Sequence, residues 1–156
     1  MFAELQTQIA DILGADSVFT QGGISVVVVD KADALAIIAE AVGASGTAIV
    51  IAPPAADFSR DSSVGPVSDG GVRITIQILE SPVFSRAQGI PSAVELAERL
   101  AWLLHSCNHP DRPDDTPMGV MSIRAVPDPD LLVIEVTLAA SGTIADPGAT
   151  TEGTES

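Results

Sequence analysis

The segment "VRITIQILE", Val72 to Glu80, limits the possible folds more than any other stretch of the chain. In an extended conformation Val72, Ile74, Ile76 and Ile78 point one way while Arg73, Thr75 and Gln77 point the other. One face of this strand therefore has to meet a core built elsewhere in the chain. The other face is free to meet water, a lumen or a neighbouring molecule. Two more apolar runs, "ISVVVVD" from Ile24 and "TAIVIAPP" from Thr47, read as buried strands, the second stopped by Pro53 and Pro54, which cannot continue a central ladder.

Helical segments alternate with these strands. Phe2, Leu5, Ile9, Ile12 and Leu13 share one stripe of a first helix, with Gly14 placed to cap its end. Asp30 is placed to cap a second helix running through Val42 and closed by Gly43. In "PSAVELAERLAWLLHSC", Ser92 and Glu95 stand in the capping-box relation, which predicts a helix from Ala93 to about Ser106. Two further strands, "GVMSIRAV" and "LLVIEVTL", joined by "PDPD", read as an antiparallel hairpin. The chain has 156 residues, enough for one core and short for two. The expected fold is a single α+β domain over 1–140, a largely antiparallel or mixed sheet flanked by helices. It includes a long aperiodic loop over 55–71 and is followed by a flexible acidic tail over 141–156.

Only 3% of the residues are aromatic, so the core must be built from Ala, Val, Ile and Leu. The formal charge of −14 repels phosphate backbones, and tight nucleic-acid binding is not expected. Cys107 is the only cysteine, which leaves no intramolecular disulfide and makes a reducing cytoplasm the default. The N-terminal segment carries Glu4 and Asp11 among spaced apolar residues, unlike a signal peptide, and no apolar run approaches the roughly 20 residues that span a bilayer.

No motif frames an active site. His105, Cys107 and His109 straddle a helix end, and no second cluster completes a metal site. A nucleophile at Cys107 or a serine, with His105 or His109 as its base, lacks a framing motif, and "VGASGTAIV" lacks the Lys-Ser/Thr pair of a phosphate loop and precedes a strand. The acidic pairs Asp114 and Asp115, and Asp128 and Asp130, lie in Pro-rich turns where solvated carboxylates belong. No enzyme activity, cofactor or metal is therefore expected. The feature that asks for an explanation is Trp102, the chain's single tryptophan. On the capped helix it shares a face with Glu95, Glu98 and Arg99, opposite Leu96, Leu100, Leu103 and Leu104. One explanation covers the ring with its own helix or a loop; the other makes it a protein contact, because interfaces are enriched in Trp and Arg.

The stretch that contains Trp102 also carries a resemblance. A strand ending in Glu80, then "SPVFSR" from Ser81 to Arg86, a small-residue linker and the helix "ELAERLAWLLH" resemble a pattern in small phage and prophage tail proteins. That pattern is Glu-Asn-Pro, an aromatic or aliphatic residue, Asn-Arg, and then an Ala/Glu-rich helix ending in Leu-His. This chain has Ser81 and Ser85 at the asparagine positions. The final hairpin, ending in "LLVIEVTLAAS", is similar too, so the resemblance covers about Arg73 to Ala140. Size and element order are similar to the tail terminator, or tail-completion, proteins of long-tailed bacteriophages.

The resemblance implies a structural virion protein assembled in the host cytoplasm. It would form a ring, typically of six copies, at the head-proximal end of the tail tube. Its partners would be further copies of itself, the tube protein and a neck protein, with DNA passing through unbound and no membrane involved. Candidate contact residues are Phe84, Arg86, Arg99 and Trp102, and the 55–71 loop is expected to reach a neighbour. Alternatives are another neck connector or minor tail protein, or a non-viral adaptor that binds a cellular protein as a monomer or dimer.

Overall fold

The computed structural model describes residues 2–20, 24–30, 32–58, 68–82, 89–105 and 118–140. Two helices, α1 (Phe2–Ala15) and α2 (Ser17–Thr20), lead into strand β1 (Ser25–Val28), helix α3 (Ala34–Ser45) and strand β2 (Thr47–Ile51). Strands β3 (Ala55–Phe58) and β4 (Ser68–Glu80), helix α4 (Ala93–Leu104) and strands β5 (Met118–Val126) and β6 (Leu132–Ala140) follow. They build the α+β domain that the sequence predicts. The sheet has six strands in the order β1-β2-β4-β6-β5, with β3 also paired to β4. Only β1 and β2 are parallel, joined through α3; every other pair is antiparallel.

The alternation in β4 does what it predicts. Val72, Ile74, Ile76 and Ile78 are fully buried beneath α1 and α4, in a core completed by Leu5, Ile9, Leu13, Leu96, Leu100 and Leu104. Burying an aliphatic side chain of this size stabilises a fold by about 1.5–3 kcal/mol, so this layer dominates the cohesion. On the opposite face α3 covers only one end of the sheet, where Ala41 and Val42 pack with Val27, Ala48, Val50, Leu79 and Val133. Further along that face the row becomes polar: Gln77 on β4 lies beside Glu135 on β6, which lies beside Arg124 on β5.

Several boundaries differ from the sequence expectation, each for a local reason. Gly14 lies inside α1, which runs on to Ala15, and the chain turns at Asp16, whose carboxylate takes the amide of Val18 at 2.9 Å and starts α2. Asp30 does not cap α3. Asp33 holds the N-cap position without a side-chain bond, and Gly46 rather than Gly43 supplies the left-handed residue at φ 76°, its N–H donating to Val42 O. The expected 55–71 loop is strand at both ends, because β4 extends beyond Ile76, the last residue that β2 pairs, and gives β3 a partner; 59–67 lie outside the described residues. Helix α4 ends at Leu104, short of Ser106, where His105 turns to extended backbone. The expected acidic tail, 141–156, also lies outside the described residues.

One buried polar side chain ties the layers together. Gln6 Nε2, on α1, donates to Val29 O at 3.1 Å and Ala52 O at 3.2 Å, and stands 3.5 Å from Ile51 O, closing the ends of β1 and β2. Gln6→Leu fills the space but takes the side-chain donor away from the Val29 and Ala52 carbonyls, while Ile51 O keeps the Val29 amide. It is expected to lower stability by about 1–3 kcal/mol, read from a chemical denaturation midpoint. No helix among the described residues is long and apolar enough to cross a membrane.

Candidate interaction surface

Helix α4 presents the candidate residues, and its start is fixed by a complete capping box. The Ser92 side chain accepts from Glu95 N at 3.3 Å, and the Glu95 carboxylate accepts from Ser92 N at 2.8 Å. With that phase set, Leu96, Leu100 and Leu104 point into the core, and Glu98, Arg99 and Trp102 point away from it. Trp102 is 70% exposed. Among the described residues the ring's contact is with Arg99 of its own helix, and most of it is left uncovered; 83–88 and 106–117 lie outside the described residues.

Arg99 holds this face in place. Its Nη2 donates to Asp16 Oδ2 at 2.6 Å, and its guanidinium carbon lies 4.8 Å from the centroid of the Trp102 ring. Asp16 is buried, with a side-chain exposure of 7% against 39% for Arg99. The carboxylate is anchored twice, by the guanidinium and by the Val18 amide. Arg99 Nε is buried with no hydrogen-bond partner among the described residues. The Asp16–Arg99–Trp102 chain thus joins the α1–α2 corner to the exposed ring through one ion pair and one cation–π contact.

The structure brings Arg99 and Trp102 together, as the sequence predicts; Phe84 and Arg86 lie outside the described residues. Asp16 was not anticipated. The only signal for it was an acidic residue directly before "SVFT", a place where Asp caps a short helix. Of the three residues at the end of α4 for which the sequence expects no metal or nucleophile role, His105 uses Nδ1 to accept the Val120 amide at 3.0 Å, and Cys107 and His109 lie outside the described residues. Among the described residues no three His, Cys, Asp or Glu side chains are placed to share a metal ion.

A second polar cluster sits on the open sheet face. Gln77 Nε2 donates to Glu135 Oε2 at 3.0 Å, and Arg124 donates to Glu135 Oε1 from both Nε and Nη2, at 3.1 and 2.9 Å. The Gln77 hydrogen bond, followed by those of Arg124 and its charge, holds the Glu135 carboxyl below its ordinary range, against a desolvation that acts the other way. A lowered carboxyl contributes stability that is fully present above the ordinary glutamate value of about 4.3 and is lost as pH falls through the lowered one. Glu135→Gln is expected to cost about 0.5–1 kcal/mol near neutral pH and to flatten the acid side of a melting-temperature profile below pH 5. An acid limb as steep as that of the unmodified chain would show that Glu135 carries no such linkage.

No protein-family model matches the chain, and no curated protein matches it significantly.

Proposed function

We propose that the chain is a structural virion subunit of the tail-terminator type. Copies of it close into a ring, with six as the expected number, on the head-proximal end of a phage tail tube and offer a docking surface to the neck. The observation that carries this reading is Trp102, an exposed aromatic ring held in one orientation by an arginine that is itself anchored to a buried carboxylate. Anchored aromatic and arginine side chains are the residues that dominate protein contacts, and fixing them beforehand removes part of the ordering cost of association. The resemblance of the segment from Arg73 to Ala140 supplies the kind of partner. The formal charge of −14 suits a conduit through which DNA passes without being gripped. In this role the protein works by surface fit, with no bond made or broken.

The reading is tested by adding the chain to a polymerising tail-tube protein and viewing the product by electron microscopy. The expected product is a tube whose growth stops, with one additional ring at a single end. Unchanged tube lengths and bare ends would exclude a terminator. Stable binding to a cellular protein as a monomer or dimer would instead favour an adaptor.

A further inference from the structure

The strands at the two ends of the sheet's main path, β1 and β5, are complementary to each other. In a parallel pair each residue turns both its backbone groups to the same side, alternating along the strand. Val29 N–H donates to Ile51 O at 3.0 Å, so Ser25 and Val27 face β2, and Val26 and Val28 turn their amides and carbonyls to the open edge. On the other side of β2, Ala52 N–H donates to Thr75 O at 3.0 Å. Carried through the registers of β4, β6 and β5, that alternation turns Ser122, Arg124 and Val126 toward β6 and leaves Ile123 and Ala125 facing outward. Val120 faces outward as well, but its N–H is taken by His105 Nδ1, and the ladder is irregular between Val120 and Ser122. His105, at the C-cap of α4, thus occupies the Val120 amide, and the stretch after the irregularity has no described partner. Among the described residues nothing pairs with the outer side of β1 or with Ile123 and Ala125.

We propose that β5 of one copy adds antiparallel to β1 of the next, with Ile123 opposite Val28 and Ala125 opposite Val26, so that one sheet continues from copy to copy. The inference rests on the self-assembling reading above and names its joint. Strand direction fits, because β1 and β5 run in opposite senses within the sheet. Hydrogen bonding fits, because the two outward residues on each edge fall opposite each other in that register.

Side chains fit on both faces. On the face of α3 the cross-strand row Val27–Val50–Gln77–Glu135 ends in Arg124, whose side chain is 70% exposed. Continuing that row sets Arg124 beside Val27 of the next copy. There, an open groove of about 450 Å³ between β1 and α3 is lined by Ser25, Val26, Val27, Ile37, Ala41 and Glu40. On the other face the row Val28–Ile51–Ile76–Val136 ends in Ile123, 47% exposed, which would cover the half-buried Val28. Copies with a charge of −14 repel one another, and this joint works against that repulsion with backbone bonds, apolar contact and the placing of Glu40 near Arg124, which keeps its bonds to Glu135. The contact is head-to-tail: it uses a different edge on each copy, the kind that closes into a ring when the rotation permits.

That asymmetry supplies the test. Val28→Pro and Ile123→Pro each remove an outward N–H and leave the ladder to the neighbouring strand intact. Each full-length variant is checked for folding by circular dichroism and then sized by sedimentation velocity beside the unmodified chain. At a concentration where the unmodified chain is assembled, each variant alone should be a monomer. An equimolar mixture should form a dimer and grow no further, because the first variant keeps its β5 and the second its β1. A variant that assembles like the unmodified chain, or two folded variants whose mixture stays monomeric, would overturn the joint while leaving assembly itself standing. An unmodified chain that is monomeric at every concentration, with and without tube protein, would remove both. Should a proline variant fail to fold, Glu40→Arg repeats the test without touching the backbone. By setting two cations together it should weaken association roughly fivefold, and unchanged association would overturn the joint.

Discussion

Asp16→Ala is expected to lower the stability of the monomer by about 2–3 kcal/mol, because it removes one side of a partly buried ion pair and a backbone cap together. The carboxylate is buried and takes both the Val18 amide and the Arg99 guanidinium. Removing it leaves the amide without a partner and the guanidinium, whose Nε is already unpaired and buried, without its anchor. Arg99 is partly exposed and water will solvate much of its charge, which keeps the loss below that of a fully buried pair. Asp16→Asn separates the two roles: it can still cap α2 and should recover roughly half of the loss. Urea denaturation of the three chains measures this directly. A variant as stable as the parent would show that the α1–α2 corner does not depend on Asp16.

Trp102→Ala should do the reverse. The ring is 70% exposed and its described contact within the chain is with Arg99, so the folded monomer should lose no more than about 1 kcal/mol. Association is expected to weaken by roughly 30-fold to 1000-fold, the range in which truncating a central aromatic contact falls. Sedimentation equilibrium gives the association constant and thermal melting gives the stability. If the variant unfolds, or if it associates as tightly as the parent, Trp102 is not the contact proposed here.

The features legible in the sequence are those that a local rule determines. The capping box and the 3.6-residue period fix α4 and the outward face of Trp102, and the two-residue period fixes which side of β4 is buried. The ends of α3 differ from the sequence expectation because an Ala-rich run offers several equivalent caps; Asp30 and Asp33, and Gly43 and Gly46, differ only in where the chain must turn to meet the sheet. Strand β3 follows two prolines and exists because β4 is long enough to pair with it, which is tertiary information. The Asp16–Arg99 pair joins residues 83 positions apart and could not be read locally. The same holds for the open edges, since which amides face outward depends on the register of every strand between them.

Trp102, as the chain's single tryptophan, is its own reporter on the contact surface that the functional reading depends on. Its fluorescence, followed with iodide or acrylamide as quencher while concentration is raised or tube protein is added, shows whether the ring becomes covered. Emission should move to shorter wavelength and quenching should fall in step with the growth of the assembled species. An assembled particle whose tryptophan remains as red-shifted and as easily quenched as the monomer's would contradict the assignment of this helix face to assembly.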